Sequence, residues 1–250
     1  MKPQPGPLPL AALAKSLGAA ILALGLSLPL ARAETLALPT GLVGLNSSAG
    51  EAMLLESKAR EAYWNLSIQF VTQKTQSFCG VASIVMVLNA LGLPAPTTPE
   101  YKPFQVFTQD NVFTEATEKV LPQSVIAEQG MTLDQIGGVL NARGAKAEVH
   151  HAADTTLDEF RAKAREYLAA PGRYVIINYL RKAIDQERGG HISPLAAYDQ
   201  ASDRFLILDV ARYKYPPVWV TAADLFGAMN TTDSDNADKT RGFVLIDGAR

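Results

Sequence analysis

Gln73-Lys-Thr-Gln-Ser-Phe-Cys-Gly-Val-Ala-Ser-Ile-Val-Met-Val-Leu-Asn-Ala-Leu91 is the stretch on which the reading of this 250-residue chain turns. Val81, Ile84, Val85, Leu88 and Leu91 recur with helical spacing, so a helix is expected from Cys79 to Leu91, with Gly92 and Pro94 stopping it. An apolar helix of this kind runs through a core, which would hold its first residue rigidly. That residue is Cys79, the only cysteine in the chain. A single thiol has no internal disulfide partner, so it is either an inert core residue or a reactive one. The start of a helix favours the second role, because its free N–H groups place partial positive charge beside the sulfur.

Working outward, Ser48 is expected to cap a short helix running through Glu51 and Leu55 toward Ala59, and Tyr63–Phe70 to pack the N-terminal arm onto the body. The proline-rich stretch 94–103 and residues 104–113 show no periodicity and read as a loop covering a cleft. Met131–Leu140 reads as a helix ended near Gly144, Ala145–His150 as a short strand, and Leu157–Ala170 as an amphipathic helix ended by Pro171-Gly172. The pattern then changes. Tyr174–Leu180, Ile192–Tyr198, Arg204–Val210 and Gly242–Asp247 read as successive strands. Helices first and strands second imply an α+β fold, with a helical lobe packed against an antiparallel sheet and a cleft between them.

The first 33 residues have a different character. Lys2 and Lys15 precede the apolar run Leu17–Leu30, and Ala31-Arg-Ala33 supplies a small-residue cleavage site, which predicts an export signal removed before Glu34. The alternative is an uncleaved anchor, although Lys15 and Pro29 interrupt its apolar stretch. Residues 34–250 would then be the mature domain, periplasmic or secreted. The signal carries three of the 23 basic residues and none of the 25 acidic ones, leaving a net charge near −5. That balance argues against a nucleic-acid surface, and no later stretch resembles a membrane span.

A reactive thiol calls for an imidazole. The candidates are His150, His151 and His191. His191 follows Arg188-Gly-Gly190 and begins an expected strand, so it is preferred as the partner of Cys79. Asp209 ends the neighbouring apolar strand and could orient that imidazole. Gln73 could project its amide toward an oxyanion, beside the backbone N–H of Cys79. Each residue also has a plainer role: Cys79 in the helix core, His191 capping a turn, Asp209 paired with Arg204 or Arg212, and Gln73 a polar loop residue. No metal cluster is legible, because adjacent His150 and His151 cannot easily direct both rings at one ion.

Three motifs in order, namely Gln73–Leu91, Gly189-Gly-His-Ile-Ser-Pro194 and Leu208-Asp-Val-Ala-Arg-Tyr-Lys-Tyr-Pro-Pro-Val-Trp219, resemble the phytochelatin synthase family across about residues 50–230. The resemblance implies a papain-like cysteine protease fold. It implies a γ-glutamylcysteine dipeptidyl transpeptidase with Cys79 as nucleophile, His191 as general base and acid, Asp209 as orienting carboxylate and Gln73 in the oxyanion hole. Arg212 and Tyr215 fall in the signature after the aspartate and are expected to organise the cleft; from the chemistry of the substrate, Arg212 could meet its carboxylate or equally fix the sheet edge through Asp209. The histidine motif reads His-Ile-Ser-Pro rather than the plant-like His-Phe-Ser-Pro, a small apolar change. The cysteine-rich C-terminal region of eukaryotic members and their additional cysteines near the site are absent, so the chain resembles the short prokaryotic form, in which glutathione hydrolysis outweighs chain elongation.

The substrate implied is glutathione, as such or as its metal thiolate. Its γ-glutamyl end carries an ammonium and a carboxylate, for which Asp233 and Arg241 in the polar connector Thr231–Arg241 are candidates; the plainer reading of that connector is a solvated loop. No cofactor is expected for hydrolysis, with a heavy metal such as cadmium acting on transfer only as a metal-thiolate substrate. A homodimer is left open. Two other functions compete: a general papain-like peptidase or amidase, distinguished by pocket polarity, and a secreted thiol- or metal-binding protein, distinguished by lack of turnover.

Overall fold

Six strands from β-branched and aromatic runs in the second half of the chain join one short strand near residue 43 in a seven-stranded antiparallel sheet, and the apolar helix of Cys79 packs against it. The computed structural model describes residues 34–187 and 189–248 together with Met1, so the expected export signal lies outside the described residues. In chain order the elements are β1 (Val43–Gly44), α1 (Ser48–Glu56), α2 (Glu61–Ile68), α3 (Cys79–Ala90), α4 (Glu115–Val120), α5 (Gln123–Gln129) and α6 (Leu133–Ala142). There follow β2 (Lys146–His151), α7 (Leu157–Leu168), β3 (Arg173–Leu180), β4 (Gly190–Asp199), β5 (Arg204–Ile207), β6 (Val218–Thr221), α8 (Ala222–Met229) and β7 (Gly242–Asp247). The strand order is β1-β6-β5-β4-β3-β7-β2, and all pairs are antiparallel.

The expected helix at Cys79 is present as α3. It is buried from Cys79 through Leu88, on every side rather than along one face, which is the behaviour of a helix apolar all round. Ser83 Oγ fixes its first turn to the sheet, lying 2.8 Å from Cys79 O and 3.2 Å from Ile192 O. At its far end, Asn89 exchanges hydrogen bonds of 2.9 and 2.8 Å with the backbone of Phe107. Strand β4 carries a proline in mid-sheet. Pro194 is tolerated there because its carbonyl faces Leu208, whose N–H donates to it at 3.0 Å, just where β5 has ended. The missing N–H therefore interrupts no ladder, and residues 208–210 are free to leave the sheet.

Several expectations are corrected. Ser47, not Ser48, caps α1, and the helix ends at Glu56 rather than reaching Ala59. Tyr63–Phe70 is largely the helix α2. The segment 94–113 is irregular, as expected, but it packs beside Asn89 and, through Phe113, against Phe78, and it does not line the cleft at Cys79. Short α4 and α5, then β6 and α8, lay in stretches too brief for periodicity to register. Helices are not confined to the first half: α7 and α8 interleave with the strands, and Phe160 of α7 meets Phe205 and Phe243 at 5.0 Å.

Candidate active site

Phe78 occupies the N-cap of α3 with no side-chain hydrogen bond, so the first-turn N–H groups are left to the cleft instead of being capped. Cys79 begins this turn and is 7% exposed. His191 lies one residue inside β4, opposite Tyr179 on β3. Its Nε2 is 2.8 Å from Asp209 Oδ1 and 3.0 Å from Ser193 Oγ, and the ring lines the same cleft as Cys79, near enough for its charge to act on the thiol. With Nε2 committed to Asp209, Nδ1 is the nitrogen left for the thiol. Tyr179 meets the imidazole edge-on at 5.7 Å and limits its rotation.

Asp209 lies two residues beyond β5 rather than at its end, a correction that matters because the departure from the ladder turns its carboxylate beneath His191. Its partner is neither Arg204 nor Arg212. Arg181 Nη2 lies 2.9 Å from Asp209 Oδ1 and 2.7 Å from Oδ2, and Ala211 N donates to Oδ1 at 2.8 Å. Arg181 is itself fixed by Gln186 Oε1 and by the Tyr215 ring, 5.3 Å from its guanidinium carbon. Sequence reading missed Arg181. Its position at the end of an apolar strand gives no sign of which carboxylate it meets.

The charges of this chain act on one another. Burial pushes the Asp209 carboxyl up, but the His191 and Arg181 charges and the bonds from His191 and Ala211 outweigh it and hold it at about 2. Burial pushes the Cys79 thiol up as well, yet the hydrogen bond and charge of His191 bring it below the ordinary cysteine range. Burial alone would lower His191; the Asp209 carboxylate reverses that and holds it above the ordinary histidine range. The direction of both shifts favours a thiolate–imidazolium pair.

Cys79 and His191 open onto a cleft of about 150 Å³. One wall is Gln129, Gly130 and Met131 ahead of α6; the other includes Asn178, Asp233, Asp235 and Arg241. Ser77 Oγ donates to Ala127 O at 3.1 Å, holding the first wall over the start of α3. Larger clefts of about 550 and 850 Å³ contain none of these residues, so convergent chemistry rather than size selects the site.

The remaining expected residues divide. Asp233 and Arg241 do line the cleft, 3.4 Å apart, and Arg241 Nε is buried without a partner. Gln73 does not have a free amide N–H in this arrangement: Nε2 donates to Thr75 O at 2.7 Å and to the Tyr213 hydroxyl at 3.1 Å. Arg212 is exposed and stacks over Phe70, its guanidinium carbon 4.7 Å from the ring centre, so it is not beside Asp209. Tyr215 is 3% exposed and accepts from Glu187 N at 2.9 Å; it braces Arg181 and does not line the cleft. Among the described residues, no three His, Cys, Asp or Glu side chains converge as a metal site. His150 instead stacks on Phe243, and His151 bonds to Thr240 O and Asp134.

A helix opening on a cysteine, laid against an antiparallel sheet that presents histidine and aspartate, is the arrangement of the papain-like cysteine protease fold. The family model described as phytochelatin synthase matches residues 33–243, and the chain belongs to that family. Glutathione gamma-glutamylcysteinyltransferase 1 of Lotus japonicus is 36% identical over 207 residues, covering 82% of this chain and 40% of that protein. The protein of the same name from Arabidopsis thaliana is 34% identical over 192 residues, 77% of this chain and 38% of its own length. Glutathione gamma-glutamylcysteinyltransferase of Schizosaccharomyces pombe is 28% identical over 218 residues, 84% and 50% respectively. The chain thus spans half or less of the length of these relatives.

Proposed function

We propose that the protein cleaves glycine from glutathione through a Cys79 acyl-enzyme, releasing γ-glutamylcysteine and making short phytochelatins when a second glutathione takes the acyl group. The observation that carries this is that Cys79 shares its cleft with an imidazole, one of whose nitrogens is held by Asp209, and that the cleft also presents Asp233 and Arg241. The names of the relatives supply the substrate.

In this reading the Cys79 thiolate attacks the carbonyl joining cysteine to glycine. First-turn N–H groups of α3 receive the oxyanion, joined by Gln73 if its hydrogen bond to the partly exposed Tyr213 hydroxyl is exchanged for the oxyanion. His191 gives its Nδ1 proton to the glycine nitrogen, and the C–N bond breaks. Water or the amine of a second glutathione then attacks the thioester, His191 taking the proton, and Cys79 is released. Asp233 is the acceptor for the γ-glutamyl ammonium and Arg241 the donor to its carboxylate. A metal thiolate of glutathione enters as substrate. In this proposal hydrolysis outweighs elongation, in a periplasmic or secreted setting that the mass of the mature N-terminus from cells would test.

The deciding experiment incubates the protein with glutathione, with and without cadmium, and follows glycine release and product mass. Glycine and γ-glutamylcysteine are expected, and both vanish in Cys79→Ala. Absence of glycine release, or full activity in Cys79→Ala, sinks the proposal; cleavage of ordinary peptides instead would identify a general peptidase.

A further inference from the structure

We propose that Gln109 is a positioning residue for Gln73: its side-chain amide fastens the backbone on both sides of Gln73 and so holds that residue where its own amide can reach the oxyanion formed at Cys79. What concerns the oxyanion rests on the function proposed above; the bracket itself does not.

Gln109 Nε2 donates to Thr72 O at 2.9 Å, and Lys74 N donates to Gln109 Oε1 at 2.8 Å. One partner is a carbonyl and the other an N–H, so together they fix which end of the amide faces which. They belong to the residues immediately before and after Gln73, and one side chain therefore spans both flanks of it. The N–H of Gln73 itself goes elsewhere, donating to Val210 O at 2.9 Å, one residue beyond Asp209. Gln73 is thus tied by its own backbone to the segment of the catalytic carboxylate, and by the amide of Gln109 to residues 106–111.

Those residues are in turn anchored to the helix of the nucleophile. Asn89, near the end of α3, holds the backbone of Phe107 through both amide atoms, and Phe107 is buried. Asn111 closes the turn that follows, accepting from Thr108 N at 2.7 Å and donating to Val106 O at 2.9 Å. A path of side-chain-to-backbone hydrogen bonds runs from one end of α3, through segment 94–113, back to the loop that precedes Cys79 at its other end. The segment does not line the cleft, but it bears on the cleft through that loop.

A fixed backbone is what the Gln73 side chain needs. Its Nε2 is engaged by Thr75 O and the Tyr213 hydroxyl, and its Oε1 is buried without a partner. Exchanging Tyr213 for the oxyanion is a movement of the side chain alone, and it delivers the N–H correctly only from a backbone that has not shifted. Misplacing such a donor costs catalysis much more than it costs stability. The bonds of Gln109 lie at the surface, where water replaces them with little loss to the fold.

Gln109→Met keeps the length of the side chain and removes both bonds. Two reactions of Cys79 separate positioning from general damage: acylation by p-nitrophenyl acetate, which passes through an oxyanion, and alkylation by iodoacetamide, which does not. Acylation is expected to slow about tenfold, and kcat for glutathione to fall similarly with KM within about twofold, while alkylation and the urea midpoint stay near wild-type values. In a Gln73→Ala background the same substitution should cost less than about twofold. Asp110→Asn removes the neighbouring exposed ion pair with Lys74 and leaves the bracket in place, so acylation should stay within about twofold of wild type. Undiminished acylation in Gln109→Met, an equal loss of alkylation, a full loss in the Gln73→Ala background, or an equal loss in Asp110→Asn overturns the inference. Because the ester is not glutathione, a protein that acylates with the expected pattern but releases no glycine from glutathione overturns only the function proposed above.

Discussion

Arg181 and Asp209 form an ion pair closed to solvent: Nη2 lies 2.7 Å from Oδ2, with the side chains 3% and 0% exposed. This pair sits beneath His191 and fixes the carboxylate so that Oδ1 meets the imidazole. Such pairs cost desolvation to form, and removing one partner leaves a buried charge uncompensated. Arg181→Met should therefore lower stability by roughly 3 to 5 kcal/mol, read as a shifted urea midpoint with little change in slope. Arg181→Lys should fall between, because an ammonium cannot reproduce the contacts with both Gln186 and Asp209.

Acid should expose the same pair. Asp209 has a folded pKa of about 2 against an ordinary 3.8, so its contribution is complete above 3.8 and is lost as pH falls through about 2. The linkage is about 2 kcal/mol. The stability difference between wild type and Asp209→Asn, measured by urea unfolding, should shrink by that amount across this window. A difference independent of pH there would show that Asp209 is not held as a carboxylate.

In the proposed mechanism the reactive form carries a deprotonated Cys79 and a protonated His191. With the thiol lowered and the imidazole raised, kcat/KM should be bell-shaped, with an acid limb below the ordinary thiol range and a basic limb above the ordinary histidine range. In His191→Gln the burial effect is opposed only by the weaker backbone hydrogen bonds from Ile192 and Gly80. Alkylation of Cys79 by iodoacetamide should then be slower at neutral pH and require more alkaline conditions.

Gly80 is kept small by the cleft wall. A Cβ there would lie 2.8 Å from Met131 Sδ, 3.2 Å from Met131 Cβ and 3.3 Å from Ile192 Cδ1. Gly80→Ala should displace Met131, with a stability change of about 1 to 2 kcal/mol at most. Glycine release should fall more than the folded fraction does. Restoration of activity by a second change, Met131→Ala, would identify the clash as the cause.

Asp233 and Arg241 are the proposed contacts for the γ-glutamyl end. Asp233→Asn and Arg241→Met should each raise KM for glutathione about tenfold or more, as loss of a charged hydrogen bond does. A substrate analogue lacking the γ-glutamyl carboxylate should be insensitive to Arg241→Met. Equal losses on both substrates would assign Arg241 to pocket structure alone.

Legibility differed among the residues for physical reasons. Cys79 was readable because a helix start and an apolar periodicity are local properties, and they fix where the thiol stands on its element. His191 was readable as the histidine beginning a strand, whereas His151 was set aside, because its partners lie 17 and 89 residues away. Arg212 illustrates the limit most clearly. It is three residues from Asp209, yet the chain leaves the sheet between them, and the buried partner is Arg181, 28 residues away.

Sequence by itself determined the helix, the order of the main strands and the three residues offered as nucleophile, base and orienting acid, since periodicity, turn chemistry and motif order are written along the chain. Tertiary structure alone decided which arginine neutralises Asp209, that Gln73 is engaged by Thr75 and Tyr213, and that Asp233 and Arg241 face Cys79. Those outcomes depend on where β5 stops and how the 231–241 connector folds back, and both are settled by packing and buried hydrogen bonding between segments far apart in sequence.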